Sequence, residues 1–176
     1  MDVIQGPGTP DRRKPEVSPD VTELFREHHL ELTRLALLVV GDLATAEDVV
    51  QDTFEQLHRR WHLLRRRESA LDYARSAVLN RCRSVHRRRG VARRYERQLA
   101  GEQDTGDVGV VIELRSELFG AFRALPPRQR EVLALRYYLD LSVAQTASTL
   151  RLSESAVRAT ASRGLAALAR ILKGET

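Results

Sequence analysis

Aromatic residues are scarce in this sequence: one Trp, four Tyr and four Phe among 176 residues. Any core must therefore rest on Leu, Val and Ala. Ala and Leu are strong helix formers, and the β-branched, aromatic-rich runs that suit strands are few, so the scarcity favours helices. Cysteine is rarer still, with Cys82 alone. That excludes an internal disulfide, and no Cys/His set has the spacing of a metal site. Long hydrophobic runs are missing too. The longest, Leu35 to Val40, is far too short to cross a bilayer, so no membrane insertion is expected. The N-terminal segment is polar, with Gly and Pro, and lacks the pattern of a secretory signal. The expected compartment is the cytoplasm, and no cofactor or metal is expected.

Charge and apolar content are what the chain has in quantity. Hydrophobic residues make up 42%, enough for a packed core, and the formal net charge is +5. A basic protein of this size is a candidate for a polyanionic partner, because each neutralised phosphate releases counterions. A merely soluble basic surface would carry the same net charge. Clustering has to decide between them.

Residues 1–17 mix Gly6, Pro7, Gly8, Pro10 and Pro15 with charges and read as a disordered tail. Asp20 and Glu23 form a capping-box-like start to a first helix. Leu24, Phe25, His28, Leu32, Leu35 and Leu38 follow at helical spacing, and Gly41 supplies a stop. In the second helix Ala46, Val49, Val50, Thr53, Phe54, Leu57 and Trp61 make one apolar stripe. The opposite face runs from acidic to basic, in the order the helix dipole favours. A third helix begins near Ser69, with Ala74, Ala77, Val78, Cys82 and Val85 on one face and arginines crowding the others. Either Gly90 ends it or basic helix continues through Arg93, Arg94 and Arg97. The five histidines show no ligand geometry and read as surface residues, and Cys82 reads as a small buried hydrophobe.

Periodicity then lapses among glycines and acids, and residues 99–111 read as a linker. The expected architecture is all-α: two small helical domains, 18–98 and 112–176, free to take several arrangements about that linker. In the second, Leu114, Leu118, Phe122 and Leu125 share a face. Pro126 and Pro127 end that helix and start the next. Val132, Leu133, Leu135 and Tyr138 follow, then a turn at Asp140 and two further helices, the last from Glu154 to about Leu172.

Segment 143–162 fits a helix-turn-helix. Ala147 is small where the two helices cross, and Leu150, Leu152 and Val157 lock the pair. Ser153 caps the second helix, which presents Glu154, Ser155, Arg158, Ala159, Ser162 and Arg163 outward. Such a helix suits the major groove, where Arg and Ser meet base edges and phosphates. An ordinary helical hairpin with a polar outer face would look similar. The turn position usually held by glycine is Arg151; either it costs roughly 1 kcal/mol in a left-handed turn or the turn differs.

Two stretches carry a resemblance to a known family. GDLATAEDVVQDTFEQLHRRW (41–61) resembles the helix with which sigma factors grip the clamp of RNA polymerase. ALPPRQREVLALRYYLDLSVAQTASTLRLSESAVRATASRGLAAL (124–168) resembles the sigma domain that reads the −35 promoter element. Order, linker and length are similar to those of the extracytoplasmic-function group. The resemblance implies that Glu47, Asp48, Gln51, Asp52 and Glu55 bind core RNA polymerase. It implies that Ser153 and the outward residues of the last helix bind −35 DNA. Residues 70–89 resemble the segment that melts and captures the −10 element. There Arg75, Arg81, Arg83, Arg87 and Arg88 are candidates for a phosphate track, and Tyr73 and Asn80 for base contact. Tyr73 stands where the family usually has tryptophan, and Ser84 where it usually has aspartate. The acids of the linker, Glu102, Asp104 and Asp107, are candidate nucleic-acid mimics; a passive tether would read the same. Similar proteins are often held by an anti-sigma factor.

Three functions follow from these residues. The first is a sigma factor that binds core polymerase, brings it to −10 and −35 elements and helps melt the DNA. The second is a stand-alone helix-turn-helix regulator, which would leave the acidic 47–55 face and the basic 70–89 helix without a joint purpose. The third is a nucleic-acid enzyme, for which no second carboxylate cluster suggests a two-metal site. The first is expected, and with it a protein that is not an enzyme.

Overall fold

Helices account for nearly all of the described chain. A computed structural model describes residues 21–61, 69–99 and 117–174, the side chains of 91–99 excepted. The tail 1–17, the cap at Asp20, the linker beyond Leu99, and Ile112 and Leu114 lie outside the described residues.

Helix α1 runs from Val21 to Val40. Gly41 ends it at φ +88°, its N–H donating to Leu37 O at 2.8 Å. This left-handed position suits glycine. Asp42 then caps α2 (Leu43–Arg60) by accepting from the Thr45 N–H at 2.8 Å. Its carboxyl is pushed up by burial, but hydrogen bonds from Thr45 and from Arg89 outweigh this and hold it below the ordinary value. The expected stripe of α2 is buried from Ala46 to Leu57, and the Thr53 hydroxyl is satisfied by Val49 O at 2.7 Å. Helix α3 spans Ala70–Leu99, so Gly90 does not end it. It buries Ala74, Val78 and Cys82 as expected, and Leu79 as well. Burial pushes the Cys82 thiol up to about 12, which leaves it an inert apolar group.

The second unit comprises α4 (Glu117–Ala124), α5 (Pro127–Leu133), α6 (Val143–Leu150) and α7 (Glu154–Leu172). Pro126 and Pro127 open α5 as expected. Its end widens into a π-helical turn, Ala134–Tyr138, closed by Leu139 N–H to Ala134 O at 3.0 Å. Arg136 donates to Leu141 O and ties the turn down. Here two expected apolar positions differ. Tyr138 is 40% exposed and Leu118 is 54% exposed. The π turn breaks the 3.6-residue period and carries Tyr137 and Tyr138 to the surface. Leu118 lies with Phe119 and Phe122 on an apolar groove shared with Leu38 of α1.

The two units touch. Helix α1 packs on α2 and α3, and also on α4, α5 and the π turn; α3 packs on α6. This explains why α1 buries Leu32, Leu35, Ala36, Leu37, Val39 and Val40 around more than one face. Within the second unit α7 comes close to α5 at Gly164, where an added Cβ would lie 3.1 Å from Leu133 Cδ1. Ala147, the small residue expected at a crossing, is buried as well.

Helix α6 begins with a capping box, Ser142 and Gln145, and ends at Arg151 with φ 54° and ψ 50°. Leu152 N–H reaches back to Ala147 O at 2.9 Å, closing a Schellman-type turn. The left-handed alternative for Arg151 is therefore the one adopted. Arg151→Gly removes the Cβ clash of that conformation and should raise stability by roughly 0.5–1 kcal/mol. Urea unfolding of the two proteins side by side checks this; an equal or lower midpoint for the glycine variant contradicts it.

Candidate nucleic-acid and polymerase interfaces

The apolar stripe of α2 faces the core, so its polar residues must face out. Glu47, Asp48, Gln51, Asp52 and Glu55 are all exposed on that side. Gln51 Nε2 donates to Glu55 Oε1 at 3.2 Å. Asp52 is different: its carboxylate takes Arg81 Nη1 from α3 at 2.9 Å. Two residues assigned from sequence to separate surfaces thus form one ion pair.

Helix α3 divides its arginines by what they touch. Arg75 is 12% exposed and donates through Nη2 to Glu31 of α1 at 2.8 Å. Arg81 also donates to Asp52 O and to Gln56 Oε1. Arg83 forms a fork with Glu131 of α5, Nε to Oε1 at 2.7 Å and Nη2 to Oε2 at 3.0 Å. Its third nitrogen donates to Asn80 Oδ1 at 2.8 Å. Arg87 and Arg88 are exposed. Tyr73 is half-buried against the core and lines a cavity of about 500 Å³ with Ser76, Asn80, Arg81 and Arg151. Of the expected phosphate track, Arg87 and Arg88 stand in solvent, while Arg75, Arg81 and Arg83 are engaged by carboxylates.

The helix-turn-helix keeps its expected face. Ser153 caps α7 by accepting from Ala156 N–H at 3.2 Å. Ser153, Glu154, Ser155, Arg158, Ala159, Ser162 and Arg163 are all exposed. Val157, Thr160, Ala161 and Gly164 are buried beneath them. Arg158 pairs with Glu154 at 2.7 Å, an i,i+4 contact at the surface that contributes little to stability. No cluster of metal-ligand residues occurs among the described residues. Nor, among them, is any helix long and apolar enough to cross a membrane.

Comparison with known proteins follows the same division. Residues 24–93 match the family described as Sigma-70 region 2, and residues 115–168 match Sigma-70, region 4. The ECF RNA polymerase sigma factor SigL of Mycobacterium tuberculosis is 33% identical over 144 residues, covering 77% of this chain and 78% of SigL. The chain belongs to the ECF RNA polymerase sigma factors. The RNA polymerase sigma-E factor of Streptomyces coelicolor is 29% identical over 146 residues, with 83% and 82% of the two chains covered. Among solved structures, sigma factor RpoE in complex with anti-sigma factor NepR, from Bartonella quintana, superposes with a TM-score of 0.69. It is 19% identical over 88% of this chain and 99% of that one. CnrH in complex with the cytosolic domain of CnrY gives a TM-score of 0.65 at 22% identity, over 89% of each chain. Both share the fold.

In this sigma factor the residues that sequence reasoning missed lie between the units. Arg130 is 8% exposed and Glu131 2%, though both sit in a segment that reads as ordinary amphipathic helix. Arg130 Nη1 donates to Val39 O at 2.7 Å, and Nε to Leu125 O at 3.1 Å. Val39 O is one of the carbonyls that the end of α1 leaves without an intrahelical partner. His86 Nε2 lies 2.9 Å from the same oxygen. Only the PRQRE spelling, two arginines and a glutamate beside Val132, hinted at buried charge, and spacing alone could not say what it met.

His86 is therefore not a plain surface residue. Burial pushes its pKa below the ordinary 6.5, and the cations of Arg130 and Arg89 push the same way against the Val39 hydrogen bond and Glu131. The native state thus holds the ring neutral, while the unfolded chain protonates it near 6.5. Stability is full above that value and falls as pH drops from about 6.5 through the lower folded-state pKa. Urea midpoints measured between pH 8 and pH 5 should decline below 6.5 in the natural protein. The decline should be shallower in His86→Gln; parallel curves contradict the assignment.

Proposed function

We propose that this sigma factor docks on core RNA polymerase through the acidic face of α2 and takes promoter DNA on two surfaces. The basic face of α3 is the −10 surface, and the exposed face of α7 is the −35 surface. The observation that carries the reading is the placement of three polar faces in one chain, each backed by a buried apolar stripe. Glu47, Asp48, Gln51 and Glu55 form an exposed, mainly acidic face, suited to a basic partner. Arg87 and Arg88 offer guanidinium groups to phosphates, and Arg83 and Asn80 stand beside a cavity that Tyr73 lines. Ser155, Arg158, Ser162 and Arg163 supply donors to a major groove.

The division into a unit over 18–98, a linker over 99–111 and a unit over 112–176 is part of the same reading. So is action in the cytoplasm, where the polymerase and the DNA are. The protein needs no catalytic group of its own, because the polymerase makes the phosphodiester bonds. An anti-sigma factor belongs among its partners in this reading: the structural relative RpoE is held in complex with the anti-sigma factor NepR.

Reversing charge at Asp48 and Glu55 together should weaken binding to sigma-free core polymerase by about 2 kcal/mol, roughly thirtyfold, with helicity unchanged. These two are better probes than Asp52, whose replacement would also release Arg81. Fluorescence anisotropy with labelled protein measures it, and an unaltered affinity removes α2 as the docking face. Replacing Arg158 and Arg163 with Ala should each weaken promoter binding by the holoenzyme by roughly 1–3 kcal/mol while core affinity holds. Footprinting reports the upstream contact; protection of the −35 region that survives both changes rules out α7 as its reader.

A further inference from the structure

The cavity of about 500 Å³ beside Tyr73 has a one-sided chemistry. Its wall joins Gln56 of α2 to Tyr73, Asn80 and Arg81 of α3. Among the described residues no carboxylate lines it. Arg151 is the one lining residue from the second unit, so the rest of the wall stands on the first unit alone.

Both amides of that wall are oriented by arginines. A guanidinium carries donors only, so the amide atom that faces it has to be the oxygen. Arg81 Nη2 donates to Gln56 Oε1 at 3.2 Å, and Arg83 Nη1 donates to Asn80 Oδ1 at 2.8 Å. Each amide therefore turns its NH2 group away from its arginine. Neither amide nitrogen has a partner among the described residues. Arg81 is itself fixed by Asp52, through Nη1 to Oδ2 at 2.9 Å and Nη2 to the backbone O at 3.0 Å. The Asp52–Arg81 pair thus sets which end of the Gln56 amide is left for a ligand. Ser84 is occupied: its Oγ donates to Asn80 O and accepts from Arg87 Nη2 at 3.4 Å.

We propose that this cavity selects a captured base that carries a keto oxygen, thymine or guanine, and that Gln56 is a specificity residue beside Asn80. The proposal rests on the reading of α3 as the −10 surface and names the base class that this surface takes. A base drawn out of the stack offers its edge to the pocket that receives it. Thymine presents O4 and guanine O6, both acceptors; cytosine presents N4–H2 and adenine N6–H2, both donors. The NH2 groups of Gln56 and Asn80 meet a keto oxygen with hydrogen bonds. Against an exocyclic amine they set donor against donor, and the wall holds no carboxylate to take the amine hydrogens. Specificity then comes from two helices: α3 supplies Asn80, and α2, whose outer face is read as the polymerase side, supplies Gln56.

Strands of oligodeoxyuridine and oligodeoxycytidine test this without knowledge of the promoter, because every position offers the same base. Uracil presents O4 as thymine does; cytosine presents N4–H2 in its place. Fluorescence anisotropy on holoenzyme rebuilt from sigma-free core polymerase, with core alone as the blank, gives the ratio of the two affinities. The natural protein should favour the uridine strand about fivefold, the size of one net hydrogen bond. Gln56→Glu keeps an oxygen for Arg81 and puts a second oxygen where the NH2 group stood. It should abolish the preference or turn it toward cytidine. The added negative charge weakens both strands alike and cancels in the ratio. Asn80→Asp makes the same exchange at the other amide and should move the ratio the same way.

A natural protein that binds the cytidine strand as well as the uridine strand, or better, overturns the keto preference. A preference for uridine that survives Gln56→Glu overturns the role of Gln56. Arg87→Ala with Arg88→Ala tests the underlying reading by itself, since neither side chain lines the cavity. The pair should weaken both strands and leave their ratio alone. If strand binding by the holoenzyme ignores them, α3 is not the DNA surface, whatever the ratio says.

Discussion

Two adjacent charges on α5, Arg130 and Glu131, hold the described arrangement together. Removing ions from water costs several kcal/mol each unless hydrogen bonds restore what water gave. Here they do. Arg130 meets Val39 O and Leu125 O, while Glu131 meets Arg83 and Arg128. One donor to Val39 O comes from α5 and the other position is held by His86 of α3, so the end of α1 is bound by both units at once. An apolar seam of the same size would be harder to part. A seam of charged groups has ready substitutes in water and in other anions.

Charge is distributed along the chain to match. Helix α2 places its acids outward because its apolar stripe is fully used by α1 and α3. Helix α3 has more arginines than its own carboxylate partners can satisfy. Some tie the three-helix unit together, as Arg75 does with Glu31 and Arg89 with Asp42. Arg83 bridges to the other unit, and Arg87 and Arg88 are left to solvent. Within one helix, then, paired and solvent-facing arginines are separated by what each side chain reaches, not by residue type. The same economy appears at Ser153, which caps α7 and also stands on its exposed face.

Much of this was legible without coordinates. The stripe Ala46, Val49, Val50, Thr53, Phe54 and Leu57 repeats at three and four residues, so α2 and its outward acids followed from period alone. Gly41 and Ser153 announced a helix stop and a helix start through conformational freedom and a capping hydroxyl. The outward set on α7 followed from the buried partners Val157 and Leu150. Where local period fails, so did the reading. The π turn after Leu133 turns Tyr138 outward, and Leu118 stands on an open groove although its spacing matches Phe122 and Leu125.

By itself the sequence determined the helices, the two units and the faces they present, because periodicity, caps and turn residues act within a few positions along the chain. It also determined the family, since both motifs and their order are written in it. Only the tertiary structure decided the partners: Glu131 for Arg83, Glu31 for Arg75, Asp52 for Arg81 and Val39 O for Arg130. Their separations of 48, 44, 29 and 91 residues leave no local signal. A guanidinium on a helix surface looks the same in sequence whether it faces water, a phosphate or a carboxylate from another domain. The choice is made by which helices pack, and packing is a property of the whole chain.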